Sequence, residues 1–489
     1  MVFINPLVIL SLTSIIGIIG ISFTNSTNFV LLKRISLNIT SLNLLISLLL
    51  WLLFDTKTGT FQFCTTLKWI PLLNLHYTIG IDGISLFFLI LTTFLVYICI
   101  LISWNSVVFF LKEYLLCFLI LEFCLIQVFC VLDIFLFYIF FESTLIPMFL
   151  IIGMWGSRSR KIRAAYQFFL YTLIGSLLML SSLVYIFIFF NTTDVQILTH
   201  CVFTSSTQLW IWLAFFTSFA VKIPMIPFHL WLPEAHAEAP TAGSVILAGI
   251  LLKIGGYGFL RFSIPLLPFA TIFFNPLVFT LSLLAIVYGS FTTLRQIDLK
   301  KIIAYSSISH MGFVTLGIFS INTQGIEGSI ILMLSHGLIS SALFICVGTL
   351  YDRYKTRIIK YYSGLVQVMP IFTIFFIFFS FSNIGFPGTS SFIGELSILI
   401  GITSISFILT FLATCGIIFA AAYSIWLVNR INFGSLNLVY FVNFQDICRR
   451  EFYVLCWILI LVLWLGIYPY LFLNELHFVI LNLVEHLVN

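Results

Sequence analysis

Apolar segments of about 20 residues recur from one end of this 489-residue chain to the other, and each is long enough to cross a bilayer as a helix. Hydrophobic residues make up 61% of the sequence and charged residues only 8%, a balance that soluble globular domains do not show. No polar block is long enough to form an extramembrane domain. The sequence therefore predicts an all-α polytopic membrane protein that acts within the bilayer.

Two of the predicted helices are interrupted. Hydropathy predicts about fourteen membrane helices. Their spans are 6–24, 37–54, 83–104, 113–131, 134–154, 164–190, 208–237, 241–262, 273–293, 302–319, 327–350, 365–403, 405–427 and 452–473. The seventh breaks at Pro224 and Pro227, because proline removes a backbone donor and blocks the helical carbonyl behind it. The twelfth breaks at Pro387 and Gly388. Broken helices persist in a bilayer only beside protein or water.

The positions of these two breaks predict an internal repeat. They lie five helices apart, so corresponding helices would enter the membrane from opposite sides, as in the inverted repeats of secondary transporters. We therefore predict four parts: N-terminal helices 1–3 (residues 1–110), a first inverted five-helix repeat of helices 4–8 (111–262), a second of helices 9–13 (263–430), and helix 14 with a tail (431–489). The functional site is expected between the repeats.

The basic residues are distributed unevenly between the two predicted faces. Loops after odd-numbered helices hold 17 of the 22 lysines and arginines, and loops after even-numbered helices hold only Lys57, Lys68 and Arg261. Such an asymmetry identifies the loops on the side from which a membrane protein is inserted. Both termini are expected on the opposite face. The N-terminus shows no signal or transit pattern, so we expect insertion where the chain is made.

Several classes of function are disfavoured. The ten cysteines form no CxxC pair and fall mostly in apolar runs, where they are expected to act as small core residues. No GxGxxG after a strand and no GxxxxGK[ST] is present, so we expect no nucleotide site. The basic residues lie in short loops, which argues against nucleic-acid binding. A metal site at His229, Glu234, His236 and Glu238 is possible, but such groups beside a helix break more often solvate a polar insert.

A glutamate and a lysine are predicted to lie buried on neighbouring helices. Glu142 lies well inside the fifth predicted helix, and Lys222 lies beside the break in the seventh. An isolated carboxylate there would be costly, so we expect the two to pair, each opposing the desolvation of the other. The alternative is a static pair that only holds two helices together.

Lys253 lies near the centre of the eighth predicted helix. A lysine at that depth costs roughly 2.5 to 3.5 kcal/mol on insertion scales, which calls for a functional explanation. No acid occupies the places three or four residues away. The surrounding glycines, at 249, 255, 256 and 258, are expected to leave room for water or for close neighbours. A lysine with access to water can release and recapture a proton.

Two histidines and two further acids complete the set of candidate proton carriers. His310 and His336 are both flanked by serines, and such chains suit proton relay, although a lone histidine on an apolar helix is more often structural. Glu395 follows the twelfth-helix break and is expected to be the exit carboxylate, with helix capping as the alternative. Glu122, in the fourth helix, is a weaker candidate that could simply be neutral and hydrogen-bonded.

Five segments resemble one membrane-protein family. They are GIDGISLFF, FFESTLIPMFLIIGMWGSR, KIPMIPFHLWLPEAHAEAPTAGSVILAGILLKIGGYG, LRQIDLKKIIAYSSISHMG and FPGTSSFIGE. Together they make the chain similar to the antiporter-like proton-pumping subunits of respiratory NADH:ubiquinone oxidoreductase, or complex I. The resemblance implies fourteen helices, two inverted repeats and a charged axis at mid-membrane. Its motif residues fall on Glu142, Lys222, Lys253, His310, His336 and Glu395. Related subunits 2 and 5 carry lysine where this chain has Glu395.

The resemblance implies a proton-translocating subunit of a mitochondrial inner-membrane enzyme, with basic loops in the matrix and both termini on the intermembrane-space side. NADH, flavin, iron–sulfur clusters and ubiquinone would then be bound by other subunits, and this chain would bind no cofactor. Its expected partners are the other membrane-arm subunits, including subunits 2 and 5, and lipids. The alternative is a subunit of a multi-subunit sodium/proton antiporter, whose members share these motifs. A purely structural scaffold would leave the aligned titratable groups unexplained.

Overall fold

The computed structural model describes residues 5–71, 74–436 and 444–488, and within these ranges the chain is mostly helical. The longer helices are α1 (Pro6–Phe23), α2 (Phe29–Leu53), α3 (Gly83–Ser103), α4 (Leu111–Cys130), α5 (Ile134–Trp155), α6 (Lys161–Phe190), α7 (Ser205–Lys222), α8 (Thr241–Leu266), α9 (Pro268–Leu294), α10 (Leu299–Phe319), α11 (Thr323–Tyr354), α12 (Pro370–Ile384), α13 (Ser390–Thr403), α14 (Phe407–Asn432), α15 (Arg449–Ile467) and α16 (Tyr470–Val488). Short helices cover Val195–Leu198 and Trp231–Glu238.

Twelve of the described helices are long and apolar enough to span a membrane, namely all except α7, α12, α13 and α16. The helix α7 and the pair α12 and α13 occupy the places where sequence analysis predicted broken helices. The total of fourteen spans and the inverted repeats remain predictions.

Two predicted helices differ from the structure at their ends. The second begins at Phe29, earlier than predicted, because polar residues in its first turns lower the hydropathy without stopping the helix. The last predicted span, 452–473, runs across two helices: α15 ends at Ile467, and α16 begins at Tyr470. Pro469 lies between them, and the residue before a proline is disfavoured in a helix.

A β-hairpin lies between α2 and α3, in a stretch for which no secondary structure was predicted. Its strands, β1 (Gln62–Ile70) and β2 (Leu75–Ile81), pair antiparallel, with Thr66 opposite Thr78 and Lys68 opposite His76. The strand β2 is mostly buried and β1 mostly exposed, so the hairpin packs one strand against the helices. The fold is therefore almost, rather than entirely, helical.

The most deeply buried helices are α8, α10 and α11, which neighbouring helices surround on nearly every side. In the outer helices α1, α2, α6, α9, α14 and α15, most side chains are at least partly exposed. These surfaces carry large apolar residues such as Ile16, Ile174 and Ile418, which suits contact with lipid. Because Lys253 of α8 is fully buried, its charge must be satisfied by protein groups.

The two ends of the helical bundle differ. At one end, which we call the basic end, Lys33 Nζ donates to Trp104 O at 2.6 Å and Lys112 Nζ to Thr24 O at 2.8 Å. At the other, the hairpin end, Asn5 donates to Phe63 O of β1. The helix α16 joins this end, where Trp51 Nε1 donates to Glu475 Oε1 at 3.3 Å.

A buried ion pair connects α3 to α8 at the hairpin end. Arg261 Nη2 lies 2.5 Å from Asp82 Oδ1, and both side chains are largely shielded from solvent. Asp82 also caps α3, accepting from the Ser85 backbone N–H at 3.0 Å. Burial acts to raise the pKa of Asp82, but the Arg261 guanidinium and the Ser85 hydrogen bonds outweigh it, so this pKa lies below its ordinary value.

Candidate functional site

The break after α7 is stabilised by groups that replace the missing helical hydrogen bonds. Trp231 Nε1 donates to Val221 O at 3.0 Å, and the Met225 backbone N–H donates to Ala220 O at 3.1 Å. These bonds satisfy carbonyls that Pro224 would otherwise leave unpaired. Lys222, the last residue of α7, is only 2% exposed at this break.

The predicted ion pair between Glu142 and Lys222 is not formed. Lys222 Nζ has no hydrogen-bond partner and lies 4.4 Å from the centre of the Phe141 ring, and one oxygen of Glu142 is likewise unpartnered. The two charged groups still interact electrostatically. The two residues do lie on neighbouring helices. However, the ring of Phe141, the residue next to Glu142, lies against the Lys222 ammonium group, so Lys222 makes a cation–π contact instead of a direct pair with Glu142.

Lys253 lies at the centre of a short hydrogen-bonded chain. Its Nζ is 2.5 Å from Ala248 O and 2.8 Å from His336 Nδ1 of α11, and its side chain is fully buried. Leu247–Leu251 forms a π-helical turn within α8. In such a turn the backbone hydrogen bonds join residues five apart instead of the four of an α-helix. The Ala248 carbonyl is thereby placed within reach of an ammonium group five residues later.

His336 continues this chain toward α10. Its Nε2 lies 3.1 Å from Ser307 Oγ. If Lys253 donates to Nδ1, a neutral imidazole carries its proton on Nε2 and donates to the serine. His336 and Ser307 lie on different helices and are 29 residues apart in sequence, so no local sequence pattern identifies their contact.

The space beside the glycines near Lys253 is taken by side chains of neighbouring helices, which is one of the two predicted alternatives. A Cβ at Gly249 would lie 2.3 Å from Leu95 Cδ1, and one at Gly256 would lie 2.5 Å from Met333 Sδ. Gly255 and Gly258 are filled in the same way by Ile223 and Phe219. These glycines allow neighbouring helices to approach α8 closely, so Lys253 is enclosed by protein.

His310 and Glu395 form the second part of the site. His310 Nδ1 lies 3.3 Å from Glu395 Oε1, and the rings of His310 and His336 are 5.6 Å apart between centroids. Glu395 does not cap its helix, since it lies within α13 rather than at the N-terminus. The remaining nitrogen of His310, Nε2, has no hydrogen-bond partner. The structure therefore brings His310, His336, Lys253 and Glu395 together, and their role as a proton relay remains a prediction.

Glu122 lies apart from this chain. It is fully buried on α4, and neither of its oxygens has a hydrogen-bond partner. It interacts with Asn43 of α2, whose Oδ1 accepts from Thr13 Oγ1 of α1 at 2.6 Å. Its neighbours are thus polar residues of the N-terminal helices, and no described contact connects it to Lys253.

The polar insert after the α7 break is buried, which the sequence analysis did not predict. The exposed fractions of His236 and Glu238 are 0% and 2%. The His236 ring is stacked on Phe344 at 4.7 Å, and neither of its nitrogens has a hydrogen-bond partner. It also interacts electrostatically with Lys253. The insert forms a helix that packs inside the protein instead of a solvated loop. We therefore include His236 in the candidate site.

Two further buried cations were also missed. Lys300, at the start of α10, is 1% exposed and donates from Nζ to Ala239 O at 2.7 Å. Arg357 is fully buried and donates to Ala237 O and Ser157 Oγ. The sequence placed both in basic loops. Among the described residues, no three His, Cys, Asp or Glu side chains are grouped as metal ligands.

A broken helix, a buried lysine on a π turn and a histidine–carboxylate pair between enclosed helices define a membrane subunit of the antiporter-like class. A family model described as NADH:quinone oxidoreductase/Mrp antiporter matches residues 132–421. The chain belongs to this family. The matched region includes α5 to α13. It therefore contains the candidate site residues from Glu142 to Glu395.

The relatives are similar over almost their whole length. The chain is 67% identical over 481 residues to NADH-ubiquinone oxidoreductase chain 4 of Chondrus crispus, covering 98% of each protein. It is 56% identical over 477 residues to the protein of the same name from Arabidopsis thaliana, covering 98% of this chain and 96% of the relative. The predicted family is confirmed.

Two solved structures share the fold. A chain of respiratory complex I from Thermus thermophilus has a TM-score of 0.88 at 27% identity, covering 98% of this chain and 99% of that one. A chain of the Mrp complex from Dietzia sp. has a TM-score of 0.85 at 16% identity, again covering 98% and 99%. The second likeness concerns the fold alone. The predicted mostly helical membrane fold is confirmed.

Proposed function

We propose that this chain is a proton-translocating membrane subunit of NADH:ubiquinone oxidoreductase. The observation that carries the proposal is the buried chain formed by Lys253, His336 and Ser307. It continues to Glu395 through His310, whose ring lies 5.6 Å from that of His336 between centroids. Each of the ionisable members can gain or lose a proton, and apolar helices exclude competing routes. Relatives at 49% to 67% identity bear the name of this enzyme's chain 4.

We assign the residues the following roles. Lys253 is the central proton carrier, and His336 with His310 relays protons to Glu395, the exit carboxylate. Lys222 and Glu142 interact electrostatically at longer range than a direct pair, and changes in this interaction would alter the proton affinity of Lys222. Glu122 belongs to a separate polar group on α4 and is the least supported of the predicted carriers. If the chain is divided into two inverted repeats as predicted, the residues from Lys253 to Glu395 would lie where the repeats meet.

The redox centres of the enzyme, with NADH, flavin, iron–sulfur clusters and ubiquinone, would lie in other subunits. The partners of this chain would be further membrane-arm subunits, including the related subunits 2 and 5. Native electrophoresis with mass spectrometry of co-migrating chains tests this directly. Flavoprotein and iron–sulfur partners support the proposal, whereas small membrane subunits alone would indicate a sodium/proton antiporter.

The orientation of the chain follows from its basic end. We propose that this end faces the mitochondrial matrix and that both termini face the intermembrane space, because basic loops mark the side of insertion. The loops at 155–163 and 351–362 should therefore share a face. Arg357 already donates to Ser157 across them. A single cysteine is placed in each loop and labelled with an impermeant reagent in sealed inside-out and right-side-out vesicles. Both cysteines should react in the same one of the two vesicle types. Reaction of the two cysteines in opposite vesicle types would contradict the topology.

A glycine substitution tests the position of Glu395. Gly385 has φ +86°, and a Cβ there would lie 2.6 Å from Glu395 Oε2. Gly385→Ala should cost about 1 to 2 kcal/mol of backbone strain and also displace the carboxylate from His310, so proton translocation should fall. Measurement of proton uptake into vesicles, at matched subunit content, provides the readout.

Gly388→Ala is the matched control. Gly388 has φ +90°, but a Cβ there would meet no atom within 4 Å. Both variants therefore share the backbone strain, and only the first disturbs Glu395. Equal loss of translocation in the two would mean that strain, rather than the carboxylate position, is responsible.

A further inference from the structure

A long apolar groove opens on the surface formed by α2, α3 and α15. Its volume is about 830 Å³, within the range of small-molecule binding pockets. The floor includes Leu334 and Leu338 of α11, and the walls include Leu44 of α2, Leu101 of α3 and Leu461 of α15. Nearly all of its lining atoms are apolar. We call this feature the α2–α15 groove.

Aromatic residues close the groove at the hairpin end. Trp51 lies 5.9 Å from Trp464 and 5.5 Å from Phe472, measured between ring centroids. Phe472 also lies 5.1 Å from Phe87. These rings come from four different helices, so the groove ends at a packed aromatic cluster.

Cations line the groove at the basic end. Arg449 and Arg450, the first residues of α15, both contribute to its wall. Arg450 Nε is buried and has no hydrogen-bond partner. Lys33 of α2 lies close enough to interact electrostatically with Arg450. The adjacent acid, Glu451, is already paired with Arg353 at 2.5 Å, so it does not neutralise the two groove arginines.

We propose that the α2–α15 groove binds an anionic phospholipid, with its phosphate at Arg449 and Arg450 and an acyl chain along the groove. An unpartnered guanidinium nitrogen at the end of an apolar channel needs an acceptor, and a phosphate supplies oxygens in the geometry that arginine prefers. A basic patch at a membrane surface attracts anionic lipids for the same reason.

The length of the groove agrees with this occupant. From Arg449 to Leu465 the lining follows seventeen residues of α15, a distance of about 24 Å at ~1.5 Å of rise between successive residues. One leaflet of the hydrocarbon core is only about 15 Å thick. A lipid of the leaflet at the basic end can therefore place its headgroup at the arginines and its chain entirely within the groove. The occupied groove would cover exposed apolar residues such as Leu45 and Trp457.

The test compares lipid retention by the purified complex. Detergent-washed wild-type complex should be stabilised against heat by added phosphatidylglycerol more than by phosphatidylcholine. Native mass spectrometry should show phosphatidylglycerol bound to this subunit. Since each arginine near a membrane surface is worth roughly a fivefold gain in affinity, Arg449→Gln with Arg450→Gln should weaken phosphatidylglycerol binding by about 25-fold.

Two other variants separate charge from shape. Arg160→Gln with Arg163→Gln removes two exposed arginines that do not line the groove, and it should leave binding unchanged. Leu461→Trp keeps every charge but fills the middle of the groove, so it should reduce retention of the lipid. Its assembly into the complex, checked on native gels, ensures that a loss of binding is not a loss of folding.

Several results would overturn the proposal. Equal binding of phosphatidylglycerol by the groove-arginine variant and the wild type would do so, as would equal stabilisation by phosphatidylcholine. Stabilisation by inorganic phosphate alone would indicate an anion site without a lipid. A photocrosslinker at Leu101 that captures a neighbouring polypeptide, rather than lipid, would show that a protein helix occupies the groove.

Discussion

Replacement of Lys253 by methionine should abolish most proton translocation while the complex still assembles. The ammonium group is fully buried and contacts both Ala248 O and His336 Nδ1. Loss of a positioned proton-transfer group costs about 100-fold or more in rate. Loss of the hydrogen bond from Lys253 to the Ala248 carbonyl should lower the free energy of unfolding by only about 1 to 3 kcal/mol. Proton uptake by vesicles during quinone reduction provides the measurement.

Lys253→Arg separates charge from proton transfer. Arginine keeps the positive charge and can donate hydrogen bonds, but it does not release its proton at physiological pH. Translocation should therefore fail in this variant as well. Electron transfer from NADH to an artificial acceptor should persist in both variants, because that chemistry is expected in other subunits. An assembled complex of either variant that pumps at the wild-type rate would show that Lys253 is structural.

Removal of Arg261 should destabilise the protein severely at neutral pH. Arg261→Met leaves the Asp82 carboxylate, 1% exposed, without the guanidinium at 2.5 Å. Breaking a buried pair in this way typically costs about 3–5 kcal/mol. Thermal and denaturant unfolding of the purified complex, together with the yield of assembled complex, should show a loss of this size.

The matched control for this loss is the double variant Arg261→Met with Asp82→Asn. Asparagine removes the charge but remains a good N-cap for α3, so the double variant should recover most of the lost stability. No recovery would mean that Arg261 acts through its contacts with Tyr257 and Phe61 instead.

The same pair predicts a pH dependence. Because the wild-type pKa of Asp82 lies below its ordinary value, its stabilisation is present at neutral pH and is lost as the pH falls below about 4. In Arg261→Met the pKa of Asp82 is set only by burial and by the hydrogen bonds of the helix cap. Protonation of Asp82 at low pH then removes the unpaired buried charge that destabilises this variant. The stability difference between the two proteins should therefore narrow as the pH falls, and a difference that is independent of pH would contradict this account.

Much of the fold could be predicted because its causes are local. Long apolar runs require helices in a bilayer, and Pro224 and Pro387 remove helical hydrogen bonds wherever they occur. The cost of burying Lys253 is likewise a property of its position in an apolar run. Sequence alone therefore identified the membrane class, both breaks and several of the buried ionisable residues, but not His236, Lys300 or Arg357. The hairpin was missed because its exposed strand shows little hydrophobic alternation.

What only the tertiary structure decided depends on how helices are rotated and how closely they approach. The partner of Lys253 is His336, 83 residues away, and nothing in either local sequence specifies that contact. The charge of Lys222 faces the ring of Phe141 because of side-chain direction on α5, although a glutamate is the next residue. The glycines of α8 accommodate Leu95 and Met333 from other helices, so packing decided between the water and the close neighbours that the sequence left as alternatives. Composition and spacing determine which charges enter the membrane, and packing between distant segments determines which groups they touch.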